Sequence, residues 1–251
     1  MRSFIQLVTN EWLKLAKKRS FIVAYALMTL LVAGSAIVIW NFAGDEFRYL
    51  NEFVTGMLSP VGIGGMFTVI SLISIAGIIS QEHQLGTIKL LLIRSHSRMK
   101  ILASKYVTML LYIGILMLYT AVAAIITGLI LFGGAGELAL ASIAKAAGFQ
   151  LLYTAIYATI VFMFGVLTKS TGATVGIGLL LVFVEGLAQM LLSRYDFSKY
   201  LLFFNTDLSV YNQGGAPIEG MTIGFSGIMI AAYMAVFIAI SFIVFKKRDV
   251  A

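Results

Sequence analysis

The sequence has no cysteine, two prolines, two histidines and few charges, with Asp, Glu, Lys and Arg together making up 12% of it. Without cysteine there are no disulfides, no c-type haem attachment and no thiolate metal sites. A soluble domain carries about 25% charged residues, so half that fraction cannot cover a water-facing surface on a chain of 251 residues. Two prolines with 24 glycines suit long, closely packed helices. They do not suit a turn-rich β-barrel, whose strands would alternate over about ten residues each. The Gly-rich phosphate loop G-x-x-x-x-G-K-[ST] is also missing. Its nearest approach, GVLTKST from Gly165 to Thr171, has Thr168 where the second glycine must sit, so the backbone cannot wrap a phosphate. GIGG at Gly62–Gly65 follows no strand and is no dinucleotide fingerprint. His83 and His96 stand among charged neighbours without further ligands converging on them, the pattern of solvated histidines and not of a metal site. No Ser-His-Asp set or carboxylate pair stands out. The chain reads as neither an enzyme nor a metal or cofactor binder.

What the sequence has is hydrophobic length. Apolar residues make up 60% of it and its mean hydropathy is +0.98. A helix needs about 20 apolar residues to cross the hydrocarbon core. Six runs meet that length, at residues 21–40, 61–80, 106–132, 146–167, 171–192 and 222–245. The fold class is therefore an all-α polytopic membrane protein, one transmembrane domain over residues 1–251. The fourth and fifth runs are separated only by TKST and form a tight hairpin. Glycines within these runs are helix-packing positions, as in the GxxxG spacing of Gly172 and Gly176.

Both termini and the 2–3 and 4–5 connections carry fourteen of the eighteen Lys and Arg residues. The excess of cations places that side in the cytoplasm. The net charge of +7 is thus a topology signal and needs no nucleic-acid partner. The first apolar run is about 20 residues long, beyond a signal-peptide core of about 7–15, and no small-residue cleavage site follows it. Before it, residues 1–20 place Phe4, Ile5, Val8, Trp12, Leu15 and Ala16 on one helical arc, with Lys14, Lys17 and Lys18 opposite. That is the pattern of a helix lying in the cytoplasmic interface, with its lysines toward anionic lipid.

One ionisable residue sits inside a span. Glu185 lies about 20 Å along the fifth run from Gly172, in the outer half of the membrane, with Gln189 and Ser193 following on the same face. A lone carboxylate in lipid costs at least about 2.5 kcal/mol, so this face points at a partner helix or a wet cavity. Two roles fit it equally: the lining of a substrate path or gate, and an interhelical hydrogen-bond clamp. The fifth and sixth runs are joined by a long outer connection, residues 193–221. Its apolar stretch Tyr200–Phe204 is too short to span and fits a re-entrant or interfacial helix standing over such a path.

The segment at 81–105, QEHQLGTIKLLLIRSHSRMKILASK, is too long and too patterned for a turn. Leu85, Ile88 and Leu92 follow i, i+3, i+7, an amphipathic helix of about two turns. Lys89, Arg94, Arg98, Lys100 and Lys105 form a basic rim. An apolar stripe that short lies on the membrane or docks into another protein.

This stretch resembles the segment after the second span in type-2 ATP-binding-cassette exporter permeases. The resemblance rests on Glu82, Gly86, Thr87, Leu91, Leu92, Ser97, Arg98, Ile101, Leu102 and Lys105, and Ser95 stands where that family often has proline. The resemblance implies a half-transporter in a bacterial cell membrane. Such a permease pairs with a second one, the same or a related chain, and with a separate nucleotide-binding subunit that binds ATP and Mg and hydrolyses the nucleotide. It implies that residues 81–105 hold the coupling helix, with Glu82, Leu85, Gly86, Thr87, Ile88, Lys89, Leu92, Arg94 and Arg98 at the ATPase contact. Members of that family export drugs, peptide antibiotics, lipids, polysaccharides and ions, and the short chain with small outer loops suits a hydrophobic or amphipathic substrate, such as an antimicrobial peptide, a drug or a lipid. Two other readings compete: a stand-alone secondary transporter or channel working through Glu185, and a membrane assembly or sensor protein whose cytoplasmic helix binds a regulator.

Overall fold

The computed structural model describes residues 2–43, 49–78, 97–133 and 138–247. Glu82, Leu85, Gly86, Thr87, Ile88, Lys89, Leu92 and Arg94 lie outside the described residues, as do both histidines. Eight α-helices are described: α1 (Arg2–Ala16), α2 (Arg19–Phe42), α3 (Leu50–Met57), α4 (Met66–Ile75), α5 (Arg98–Phe132), α6 (Leu140–Thr168), α7 (Thr171–Leu192) and α8 (Ile223–Lys247). No strand occurs among the described residues. Six segments are long and apolar enough to cross a membrane, with α3 and α4 together forming the second.

The helices make two groups. α1, α2 and α3 pack on α5, α4, α7 and α8 pack on α6, and α5 and α6 touch each other. α6 is the central post: 67% of its apolar window is buried, against 11% for α7 at the rim. Lipid tails are as apolar as leucine, so close backbone approach and polar pairing hold these helices together more than apolar burial does. Two glycines mark such approaches. A Cβ on Gly128 of α5 would stand 2.5 Å from the Leu50 side chain of α3, and one on Gly178 of α7 would stand 2.5 Å from Val161 of α6.

Local chemistry sets the helix ends. Ser97 and Ser170 cap α5 and α7, each hydroxyl accepting a 3.4 Å bond from the N–H three residues on, which meets one of the orphan donors of the first turn. Gly133, at φ 63°, closes α5 in the left-handed conformation. Lys169 adopts φ 57° at the tight α6–α7 turn. Polar residues inside the spans fold their hydroxyls back onto their own helices, as Thr120 does to the Leu116 carbonyl and Thr159 to that of Ala155. A bond of this kind keeps a hydroxyl satisfied in lipid.

The second span differs from the expected continuous helix at 61–80. It begins earlier, at Leu50, and is broken. α3 buries Leu50, Phe53, Val54 and Met57 and stops before Pro60, which has no N–H to continue the ladder. A 3-10 turn at Gly62–Gly65 then leads into α4. Gly62 takes φ 68°. Gly64 lies against the carbonyls of Ser59 and Gly56, where a Cβ would approach to 2.3 and 2.6 Å. A break at membrane depth is tolerated where the freed backbone finds partners in the protein. Here Gln150 of α6 donates its amide to the Gly64 carbonyl at 3.2 Å and to Thr68 at 3.2 Å, and Thr68 also bonds Thr154 at 2.8 Å. The connection after α7 differs too. Three short 3-10 turns, Asp196–Tyr200, Leu202–Phe204 and Leu208–Gln213, carry it in place of a single short helix.

Only glycine fits the turn at position 64. Gly64→Ala should destabilise the protein by about 1–3 kcal/mol, the usual cost of overpacking, seen as a lower midpoint of thermal unfolding in detergent. Gly34→Ala, in α2 with open space around it, should melt with the wild type. Equal melting of all three proteins would contradict the broken second span.

Candidate functional site

Glu185 and Gln189 on one face of α7, and Ser193 at its C-terminal cap, all line a single cavity of about 370 Å³. The break in the second span supplies Pro60 and Val61 to its wall, α6 supplies Tyr153, and the connection between α7 and α8 (the outer turns of the expected topology) supplies Phe204, Asp207, Val210 and Pro217. Glu185 is 7% exposed, and hydrogen bonds from three parts of the chain hold its carboxyl. Tyr157 donates to Oε2 at 2.7 Å and Tyr153 donates to the same oxygen. Thr206 of the outer turns donates to Oε1, and Gln189 approaches that oxygen at 3.5 Å. All four partners can donate to the carboxyl, and the tyrosine and threonine hydroxyls can also accept from it, so the cluster serves the acid in either protonation state. Gln189 also donates to the Phe203 carbonyl at 2.7 Å. The cluster therefore ties α6, α7 and the outer turns together while one side faces the cavity. Glu185 thus bonds across helices and borders a cavity with the same side chain.

The outer turns are held from α8 as well. Ser226 donates to the Asn205 side chain at 2.8 Å and shares a 2.8 Å bond with Tyr211, and Tyr233 donates to the Tyr200 carbonyl at 3.0 Å. Asp207 accepts a 2.8 Å bond from the Ser209 N–H.

A second polar cluster lies at the other end of the bundle. Lys105, grouped by sequence with a basic rim, is 2% exposed and belongs to no solvated surface. Its ammonium group bonds Glu11 of α1 at 2.6 Å and the Ile78 carbonyl at 3.4 Å. Lys14 closes on the other Glu11 oxygen at 2.6 Å. Burial pushes the Glu11 carboxyl up, but the charges and hydrogen bonds of Lys105 and Lys14 outweigh it and hold it below the ordinary value of 4.5. Thr108 adds a 3.4 Å bond to the Val8 carbonyl. α1 thus turns Leu15 and Glu11 into the bundle and leaves Ile5 exposed. Arg98, the one expected coupling residue among those described, donates to the Lys246 carbonyl at the end of α8 at 3.5 Å.

Residues 20–251 match the family described as protein of unknown function DUF2705. The chain belongs to that family. It is 34% identical over 236 residues to the uncharacterized protein YhcI of Bacillus subtilis (strain 168), covering 84% of this chain and 72% of that protein. It is 27% identical over 256 residues to the uncharacterized membrane protein YdbK of the same strain, covering 95% of this chain and 99% of that one. Together with the six apolar helices, these likenesses make this member of the family a multi-pass membrane protein.

Sequence reasoning passed over Tyr153, Tyr157, Thr206 and Glu11. A signal existed for the first two. With Gln150 and Thr154 they form a polar stripe at i, i+3, i+4 and i+7 along an otherwise apolar span.

The buried ion pair can be tested directly. Lys105→Met leaves the Glu11 charge without its buried partner and should cost about 3–5 kcal/mol, while Glu11→Gln/Lys105→Met together should cost less. Because the folded Glu11 carboxyl titrates below 4.5, the contribution of the pair is complete above 4.5 and is lost as pH falls through the lowered value. Thermal stability followed from pH 7 to pH 3 should therefore fall more steeply in wild type than in Glu11→Gln. Parallel curves would show that the pair carries no stability.

Proposed function

We propose that this chain is the membrane-spanning permease subunit of an ATP-binding-cassette exporter. A separate ATPase subunit would drive it, binding ATP and Mg, and it would work beside a second permease, the same or a related chain. Its substrate would be a hydrophobic or amphipathic molecule such as an antimicrobial peptide, a drug or a lipid. The sequence of residues 81–105 carries this reading, and Lys105 supports it. One ammonium group bonds the chain entering that segment, at the Ile78 carbonyl, and α1, at Glu11, from a position on the helix that leaves the segment. A push on the segment would reach α4, α5 and α1 together.

In this account Leu85, Ile88 and Leu92 form the buried anchor against the ATPase. Lys89, Arg94 and Arg98 form the rim that guides docking, and Glu82, Gly86 and Thr87 shape the helix start. Closure of the ATPases would shift the permeases between inward- and outward-facing states. α1 would lie in the cytoplasmic interface beside anionic lipid, and the outer turns would stand over the path at Glu185, Gln189 and Ser193. Both termini would be cytoplasmic, in a bacterial cell membrane.

A second reading, a stand-alone secondary transporter working through Glu185, gains one observation, the broken second span beside the Glu185 cavity. Discontinuous helices at a binding site are typical of such transporters, but as one of a pair in related halves. α5 to α8 are continuous, so the break has no counterpart among the described residues of the second half.

Affinity purification of the wild-type chain from its native membrane should bring down an ATPase at about one copy per permease, and Leu85→Asp/Leu92→Asp should lose it while still eluting as a folded protein. Equal recovery from the folded double variant would overturn the coupling assignment. Because the natural chain has no cysteine, single cysteines report sidedness without background. In intact cells a membrane-impermeant maleimide should label Tyr195→Cys and spare Lys247→Cys. The reverse pattern would invert the topology.

A further inference from the structure

The cavity beside Glu185 has a chemistry that selects its ligand. Its volume of about 370 Å³ falls in the range of small-molecule sites, about 300–1,000 Å³. Two carboxylates border it, Glu185 and Asp207, and no lysine or arginine does so among the described residues. Glu185 is more than nine-tenths buried and is surrounded by neutral donors, Tyr153, Tyr157, Thr206 and Gln189, with no cation among its partners. The nearest basic residues in sequence do not neutralise it: Arg194 is exposed, and the Lys199 ammonium stands 5.3 Å from the Tyr200 ring centre. A buried acid normally pairs with a counter-charge. This one is oriented and hydrogen-bonded but has none among the described residues, and the cavity is a place where one could sit. The remaining wall offers aromatic rings, Tyr153 and Phe204, and apolar surface, Val61 and Val210. Aromatic faces attract organic cations, and the apolar walls suit the hydrocarbon body of such a molecule.

We propose that this cavity binds an organic monocation with an apolar body, its charge between Glu185 and Asp207 and its hydrocarbon part against Val61, Val210 and Phe204. A cation is favoured over a neutral or anionic molecule of the same size because only a cation gains from the two carboxylates that border the cavity. The inference rests on the exporter reading only for the step after binding, in which the cation is moved outward.

The test is equilibrium binding to the purified chain in lipid nanodiscs, with no ATPase present. The probes are radiolabelled tetraphenylphosphonium and its size-matched anion, tetraphenylborate. Tetraphenylphosphonium should bind saturably, and binding of tetraphenylborate should not rise above that of empty nanodiscs. Glu185→Gln should weaken cation binding about tenfold or more, as expected when one partner of a buried charge pair is removed. Glu185 also ties three elements together, so Asp207→Asn serves as the second variant. It removes a charge and keeps an acceptor for the Ser209 N–H, and it too should weaken the cation. Leu180→Ala, on the exposed face of α7, should bind as wild type does. Absence of saturable cation binding, equal binding of the anion, or full binding by monodisperse Asp207→Asn would overturn the proposal. Cation binding without any co-purifying ATPase would sink the exporter reading and leave this site standing. An ATPase that co-purifies with a chain deaf to the cation would do the opposite.

Discussion

With no water in the hydrocarbon core, a polar group on a spanning helix must bond inside the protein, at a cost of several kcal/mol if it does not. The architecture of this chain follows from where its polar groups meet that requirement. Gln150 does so for the backbone freed between α3 and α4, and this allows a proline and four glycines to sit within the second span. Tyr153 and Tyr157, one and two turns further along the same helix, do so for Glu185. One stripe on α6 therefore supports both the break and the acid, and the cavity between them is built from its two sides.

The opposite end of the bundle follows the same rule with full charges. A buried lysine needs an anion close by, and Glu11 reaches it from a helix 94 positions earlier in the chain. Removing either charge exposes the other, whereas replacing both is milder, so the pair specifies where α1 docks more than it adds stability. Between the two clusters run α5 and α6, which touch each other along the bundle. They join the Lys105 cluster to the Glu185 cavity, a connection that the proposed permease role requires.

Much of this was legible in the sequence. The fifth span runs over 171–192 as its hydrophobicity predicts, and the third, fourth and sixth share their cores with the expected runs. Hydrophobic length is a local property, and the polar face of Glu185, Gln189 and Ser193 is a matter of helical period. The second span was misplaced because its first part does not look greasy. LNEFVTGM carries Asn51 and Glu52 on its outer face while Leu50, Phe53, Val54 and Met57 turn inward at i, i+3, i+4 and i+7. That pattern was present, but it reads as a loop helix until its packing on Gly128 is seen. Lys105 was misread for a different reason. A lysine among other cations is a rim by sequence, and its burial depends on a carboxylate that no local pattern associates with it. Thr206 likewise reaches Glu185 from the middle of the connection that follows α7, 21 residues away.

The central claim is that an ATP-hydrolysing partner, and not an ion gradient of its own, moves this bundle between states. Proteoliposomes holding the chain with its co-purified ATPase facing the outer medium, with a fluorescent organic cation in that medium and its uptake into the lumen followed, test it most directly. The account predicts that the cation moves only on addition of ATP and Mg to the cytoplasmic side, and that movement persists when proton and sodium gradients are collapsed. Movement driven by a gradient in the absence of nucleotide would contradict it.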